Sequence, residues 1–459
     1  MLYAGLYPGV LKSTFNRHKV YSVDTEGRME KIGVIGTGYV GLVTGVVFAH
    51  WGHKVVCADQ DAGKVEQLRK GVPPIYEPGL ADLLVRSLRD GNIEFTNDVT
   101  DTASKSDIIF IAVGTPDKGN GEADVSQVEA AIQSIAGCID RKKIIVMKST
   151  VPVGTNDWVR SELLRLGVPE SRVCVVSNPE FLREGNALYD AMNPDRIVVG
   201  GADDDAMRTM SQIYDAAGCR ILYTDAKTAE LIKYASNCFL AMKVSFINSL
   251  SVLCERFGAN VTSLADGMGL DGRIGRSFLN AGLGWGGSCF PKDVYGLMRQ
   301  SEAAGYEFGL LRETITANDL QIDRFVDAVR ALAGGLEGKT ISLWGLAFKP
   351  DTDDIRESRA VRVAQRLIEA GAKVKAFDPA AMDAFSEQFP SVEMCRDAYS
   401  CARQSSCVAL ITEWPVFRQV DLGVVRDTMS NPAIADGRNA LDPAHVRGLG
   451  FEYWSFGRQ

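Results

Sequence analysis

The sequence predicts an α/β fold in which two doubly wound domains, each built on a parallel sheet, are joined by a long central helix. Three observations carry this reading. From Lys31 onward short β-branched runs alternate with helical stretches, the mark of βαβ units. A stretch of roughly thirty residues without Pro or Gly, Thr228 to Phe257, then interrupts the alternation. Finally, the alternation restarts near Lys339.

In the first region KIGVIG (31–36), KVVCAD (54–59), DIIFIAV (107–113), KIIVMKS (143–149) and RVCVVSN (172–178) are each bounded by turn residues and read as buried strands of one sheet. RIVVGG (196–201) and RILYTD (220–225) extend it. Ala, Leu, Met and Lys dominate 228–257, so this segment reads as one helix, ~45 Å long at 1.5 Å per residue and able to join two domains. A helical middle runs to about Leu336. KTISLWGLAF (339–348), a helix from about Ser358 to Ala370, KVKAFDP (373–379), CVALIT (407–412) and AIADGR (433–438) then outline a smaller α/β domain. The expected division is an N-terminal extension (1–30), a first domain (31–226), a central helical region (227–336) and a C-terminal domain (337–459).

Composition narrows the function classes. With 46% hydrophobic and 24% charged residues the 459-residue chain has ordinary globular character. Its net charge of -8 argues against a broad nucleic-acid footprint and for a cytoplasmic protein. Ten cysteines are too sparse for a disulfide scaffold. They form no CxxC pair and no cluster with histidine, so reduced thiols and no metal site are expected. No apolar run approaches the ~18 residues that span a bilayer, and Gly5, Pro8 and Gly9 break up the N-terminal stretch, which also lacks a cationic start and a cleavage site. No membrane partner and no signal peptide are expected.

Gly36-Thr37-Gly38-Tyr39-Val40-Gly41 follows a strand and opens a helix, where glycines permit a tight turn, close approach of a pyrophosphate and close helix packing. About 20 residues on, the second strand ends at Asp59, whose carboxylate accepts from ribose hydroxyls and repels a 2′-phosphate. A Rossmann-like site for NAD rather than NADP follows. Lys64 stands within reach of the same ribose or phosphate, although a solvated lysine on a helix face satisfies the pattern equally. The second domain's first turn has Gly345 followed by Leu346, Ala347 and Phe348, and its backbone cannot approach a pyrophosphate in that way.

Gly284-Trp285-Gly286-Gly287-Ser288-Cys289-Phe290-Pro291-Lys292-Asp293 is the most unusual stretch. Pro291 marks a first helical position, which puts Cys289 at a helix N-terminus beside Lys292, an electropositive place that favours a thiolate. Asp293 projects from the same side as a candidate proton acceptor. The alternative is a buried packing cysteine. Lys233 and Asn237 share a face of the long helix among apolar neighbours and point to an enclosed place. Glu180 and Glu184 follow a strand end, where α/β sheets put their ligands. Taken singly, each of these charges is also compatible with a solvated or salt-bridged surface role.

These stretches, together with Pro74 to Leu80, Gly114-Thr115-Pro116, Lys148 to Thr155, Ser177 to Gly185, Asn193 to Arg196, Glu230 to Ala241 and Phe348 to Ser358, occur in an order that resembles the nucleotide-sugar 6-dehydrogenases, the UDP-glucose/GDP-mannose dehydrogenase family. The resemblance runs from about residue 31 to the C-terminus; the extension before Lys31 is outside it. It implies an NAD-binding N-terminal domain, a dimer-forming central helix and a C-terminal domain gripping UDP. It also implies oxidation of a C6 alcohol to a carboxylate with two NAD reduced and one water consumed, the aldehyde being held on Cys289 as thiohemiacetal and then thioester.

By the same resemblance Lys233 and Asn237 stabilise oxyanions, Lys233 or Asp293 helps remove the alcohol proton, and Glu180 activates water through a network including Thr150. Tyr39, Val40, Asp59, Lys64, Thr115, Thr150, Glu184, Lys292 and Arg356 fall at NAD positions. Phe181, Leu182, Arg183, Arg273, Phe278, Leu279, Asn280, Ala281, Gly282, Gly286, Phe348, Lys349 and Arg438 fall around the nucleotide sugar. Tyr76 and the Trp285 to Phe290 stretch resemble the branch acting on UDP-glucose more than those acting on GDP-mannose or UDP-N-acetylmannosamine. A two-electron hydroxyacid dehydrogenase would leave Cys289 and Asp293 surplus, and a non-catalytic NAD-binding protein would leave every chemical position without a task. A homodimer, or a multiple of it, is expected.

Overall fold

The computed structural model describes residues 29–458, and the expected extension of residues 1–30 lies outside them apart from Met29 and Glu30. The first sheet contains β1 (Lys31–Ile35), β2 (Lys54–Ala58), β3 (Ile93–Thr96), β4 (Ile108–Ile111), β5 (Lys143–Met147), β6 (Val173–Ser177), β7 (Ile197–Gly200) and β8 (Ile221–Thr224), in the order β3-β2-β1-β4-β5-β6-β7-β8. The pairings from β3 to β6 are all parallel, as the alternation predicts. β7 is a correction to that expectation. It meets β6 antiparallel through the single pair Ser177–Gly200, and β8 runs parallel to β7. The chain between β6 and β7 holds only the short helix Ala187–Met192, and an antiparallel return needs no long crossover. β3 goes unread in the sequence because its four residues make a half-exposed edge rather than a β-branched run.

The central helix runs from Ala226 to Phe257, two residues earlier than expected, because Asp225 accepts from the Thr228 amide as its N-cap. Gly258, at φ 71°, ends it in the left-handed region. An 18-residue window of this helix has a mean hydropathy of 1.4, enough by length and composition to cross a bilayer, which corrects the expectation of no such run. Its buried Glu230, Lys233 and Asn237 all find partners inside the chain, the pattern of a core helix. It packs against the helices Phe290–Ala303 and Gly309–Ala333.

β9 (Thr340–Trp344), β10 (Lys373–Phe377), β11 (Glu393–Met394), β12 (Cys407–Leu410), β13 (Ala433–Asp436) and β14 (Glu452–Ser455) form a second, parallel sheet in the order β11-β10-β9-β12-β13-β14. The first six strands of each sheet follow one plan, and the acid that ends the second strand of each accepts from the turn after the first strand. Asp378, fully buried after β10, accepts from the amides of Leu346 (2.6 Å) and Ala347 (3.1 Å) and from the Trp414 indole (3.0 Å). The turn after β9 is thereby tied to its own sheet. Asp59, after β2, stands in the corresponding place and holds the Thr37 amide, leaving the turn open above Gly38.

Candidate active site

The glycine turn after β1 lies between β1 and β4, where strand order reverses and open sheets bind their ligands. Gly36 has φ 96°, and a Cβ there would press on the Ala112 carbonyl; a Cβ on Gly41 would overlap the Gly36 carbonyl. Above Gly38 the space is open, and no side chain caps the helix Tyr39–His50. Free amides over an open turn fit the pyrophosphate of a dinucleotide. Asp59 accepts from the Thr37 amide (2.9 Å) and hydroxyl (2.7 Å) and from Lys64 Nζ (3.2 Å). Burial pushes its carboxyl up, but these donors outweigh burial and hold it below the usual range. Lys64 is thus engaged by Asp59 and is neither free for a phosphate nor merely solvated. Tyr39 and Val40 open the helix, and the Tyr39 hydroxyl donates to the Tyr76 carbonyl at 2.6 Å.

Further along the same sheet edge, the Thr115 hydroxyl donates to the Thr150 carbonyl at 2.8 Å. Glu184 accepts from Ser288 Oγ (2.5 Å), and Arg356, bonded mainly to Asp354 at 2.6 Å, lies 3.5 Å from the same carboxylate. Burial raises Glu184 to about 7, with the nearby Asp354 adding to the shift. Ser288 joins the glycine-rich loop to this cluster.

The reacting groups converge in a cavity of about 640 Å³ whose walls include Glu180, Phe181, Leu182, Arg183, Lys233, Asn237, Phe278 and Cys289. Lys233 Nζ meets Glu180 Oε1 at 2.8 Å, and the Leu182 amide donates to Glu180 Oε2 at 2.5 Å. Burial alone would push the lysine down and the glutamate up. Their mutual attraction reverses both shifts, so the pair is ionised. Asn237 Nδ2 donates to Asp293 Oδ2 at 2.6 Å while Lys292 Nζ holds Oδ1 at 2.8 Å. Lys292 is therefore seated on Asp293. Phe181 carries the Arg196 guanidinium on its ring at 3.7 Å, and Arg183 is bonded to Asp190.

Cys289 caps the helix Phe290–Ala303, as the proline predicts. The expected thiolate is corrected, however. Burial raises the thiol to about 11, Glu180 and Asp293 add to the rise, and Lys233 and Ser288 offset only part of it. Desolvation outweighs the helix end because the half-buried Cys289 lines the cavity with two carboxylates nearby. The resting group is a neutral thiol.

The residues expected around a nucleotide line a seam between the glycine loop and the second sheet. The Gly282 amide donates to Asn248, a Cβ on Gly286 would overlap the Glu357 carbonyl, and Gly287 lies against the Phe348 ring. Arg438 donates to the carbonyls of Ile411 (2.7 Å), Gly284 (3.3 Å) and Phe348 (3.3 Å), stitching loop to sheet. Lys349 stands over the Phe348 ring, and Leu279 and Ala281 are buried. Asn280 accepts from Arg276. Arg273 stands apart, its side chain 90% exposed and bonded to Asp271. The Thr150 carbonyl is occupied by Thr115.

Sequence reasoning passed over several groups at these sites: Lys148, Asn178, Tyr214 and Arg196 on the cavity wall, and Ser288 and Asp354 beside Glu184. Lys148 and Asn178 had a usable signal, since both stand just past the carboxyl ends of buried strands. Tyr214 and Arg196 arrive from the reversed part of the sheet, which no local pattern announces.

Three models of the UDP-glucose/GDP-mannose dehydrogenase family match the chain: the NAD binding domain over residues 30–217, the central domain over 227–320 and the UDP binding domain over 342–443. A UDP-glucose 6-dehydrogenase of Bacillus subtilis (strain 168) is 45% identical over 431 residues, 94% of each chain. One from Rhizobium meliloti (strain 1021) is 45% identical over 435 residues, 93% of this chain and 99% of that one. The solved structure of a UDP-glucose dehydrogenase from Pyrobaculum islandicum superposes with a TM-score of 0.88 at 38% identity, covering 96% of this chain and 100% of that one. A UDP-D-ManNAc dehydrogenase structure from Pyrococcus horikoshii gives 0.82 at 27% identity, over 93% and 99%.

Proposed function

The chain belongs to the UDP-glucose/GDP-mannose dehydrogenase family, and from that membership we propose that it oxidises UDP-glucose at C6 to UDP-glucuronate, reducing two NAD and consuming one water. The observation that carries the reading is the convergence of Cys289, the Lys233–Glu180 pair and Asn237 in one cavity. In this reading residues 31–226 hold NAD, 227–336 form the dimer contact and 337–459 hold the UDP end, with Phe278 to Gly282, Phe348, Lys349 and Arg438 along the seam.

Bound NAD supplies the hydride acceptor for each oxidation. Gly36, Gly38 and Gly41 would admit its pyrophosphate and Asp59 its ribose. Lys233, kept charged by Glu180, and Asn237 stabilise negative charge on the C6 oxygen. Because Lys233 is held as a cation, we assign it this role rather than that of proton acceptor. In each oxidation the hydride passes to NAD and the hydroxyl proton to Asp293, and the first leaves an aldehyde. The Cys289 thiol adds to the aldehyde carbon and its proton passes to the carbonyl oxygen, giving a thiohemiacetal. Loss of a second hydride and that hydroxyl proton gives a thioester. Water then displaces the sulfur, with Glu180 accepting its proton, and thiol and carboxylate result.

Counting NADH formed per sugar tests the reading. Two NADH per UDP-glucose are expected, with GDP-mannose and UDP-N-acetylmannosamine poor by comparison; one NADH per sugar would overturn it in favour of a two-electron dehydrogenase. A homodimer belongs to the same proposal, supported by the exposed Leu231, Phe239, Phe246, Leu253 and Phe257 along the central helix. So does a cytoplasmic location, which the ten free thiols fit.

A further inference from the structure

Among the described charges lining the cavity, one cation is buried with no carboxylate at ion-pair distance. Glu180 pairs with Lys233 and Asp190 with Arg183. Asp293, behind the wall, pairs with Lys292. Arg196 lies on the Phe181 ring beside the acidic Asp195, and Lys243 donates to the carbonyls of Ile274 and Gly275 at the rim. Lys148, just past the end of β5, is 8% exposed and has no carboxylate within ion-pair distance among the described residues. Its ammonium donates to Asn178 Oδ1 at 3.1 Å and to the Tyr214 hydroxyl at 3.4 Å. The Tyr214 hydroxyl itself donates to Asn178 at 2.5 Å, and Asn178 Nδ2 donates to the Val198 carbonyl at 2.8 Å. A neutral scaffold thus fixes the ammonium in place. An ammonium has three donors, and two are used.

We propose that Lys148 is a positioning residue of the oxidation site: an uncompensated buried cation whose charge balances the negative charge that develops at Cys289 and on the oxygen bound to C6. This rests on the dehydrogenase reading for its consequence in turnover, but not for its electrostatics. The titratable groups facing Lys148 are Glu180 on the loop after β6, Lys233 on the central helix and Tyr214, with Cys289 across the cavity. With Lys233 and Glu180 cancelling, the group carries one net positive charge while Cys289 is a thiol, and becomes neutral when Cys289 ionises. Burial, together with Lys233, lowers the Lys148 ammonium to about 8, with Glu180 opposing, so the compensating charge is present at neutral pH and fades above it. Replacing Lys148 leaves Tyr214 and Asn178 bonded to each other, so the scaffold has its own support.

The test uses the whole protein without sugar or NAD. Iodoacetamide alkylation of Cys289 is followed across pH by mass spectrometry of the peptide that carries it, in wild type, Lys148→Met and Lys148→Arg, with thermal melting as a check on folding. Lys148→Met should alkylate about tenfold more slowly near pH 7, a shift of about one unit in the thiol profile. The two profiles should converge above about pH 9, where wild type has lost the same charge. Lys148→Arg should restore the rate at neutral pH. A purely structural loss would not converge with pH, and equal alkylation of Lys148→Met and wild type at neutral pH would overturn the proposal. If wild type formed no NADH from UDP-glucose, the functional reading would fall while the alkylation profiles still decided the role of Lys148.

Discussion

Lys233 and Glu180 meet at 2.8 Å from two different elements, the lysine on the central helix and the glutamate on the loop after β6, and both are nearly sealed from solvent. A pair so buried is held by its own attraction and by the Leu182 amide, and each charge is costly without the other. Glu180→Leu should therefore destabilise the protein by about 3–5 kcal/mol, measured by denaturant unfolding at neutral pH. The carboxyl is depressed in the fold, so its contribution is complete above the unfolded value of about 4.3 and is lost as pH falls through the folded one. The lysine is raised, and its share persists at low pH and disappears only in strong alkali. The stability gap between wild type and Glu180→Leu should thus narrow on acidification below about pH 4; a gap that widened would refute the assignment.

In the proposed cofactor site a 2′-phosphate would approach Asp59, part of whose charge Lys64 neutralises at 3.2 Å. NADP should be a poorer substrate than NAD by about 1–3 kcal/mol in kcat/KM, and Asp59→Ser should narrow the difference mainly by losing NAD affinity. Equal efficiency with both cofactors in wild type would contradict the role given to Asp59.

Cys289→Ser should permit a slow first oxidation and an ester adduct without hydrolytic turnover, and Cys289→Ala should remove the covalent route. Asn237→Ala, which also frees Asp293 Oδ2, should slow both hydride transfers. Intact-mass measurement after mixing enzyme, UDP-glucose and NAD would detect the adduct. Wild-type turnover with two NADH per sugar in Cys289→Ala would end the covalent mechanism.

Phe239 and Phe246 are 57% and 52% exposed on the central helix, an apolar pair too large to be left to water. Substituting both by Asp should shift the protein from dimer to monomer in light scattering. A wild type that is already monomeric at micromolar concentration would dispose of the dimer.

How much of this was legible beforehand depends on how local the signal is. The glycine turn, Asp59 and the cap at Cys289 are written in short windows, and the structure forms each turn and helix start where those windows put it. The parallel strands from β1 to β6, apart from the edge strand β3, follow from β-branched runs. β7 and β8 are also legible as strands, but their reversal is not, because the direction of a strand is decided by the connection before it. Lys148 stood in the sequence as the first residue of a family stretch, with no role of its own until Asn178 and Tyr214, distant in sequence, closed around it. The ionisation of Cys289 was misjudged for a related reason: a helix end is visible in sequence, whereas desolvation by the cavity walls and the repulsion of Glu180 and Asp293 are properties of the assembled site.

The aspartate that ends the second strand of each sheet has a consequence for how the two turns breathe. Asp378 clamps the amides of Leu346 and Ala347 to a fully buried carboxylate, so in deuterated solvent these hydrogens should be among the slowest of the C-terminal sheet. In the first turn Asp59 holds only the Thr37 amide, and the amides of the uncapped helix start after Gly38 should exchange quickly until a dinucleotide covers them. Adding NAD should then silence exchange at the first turn and leave the second at its original pace.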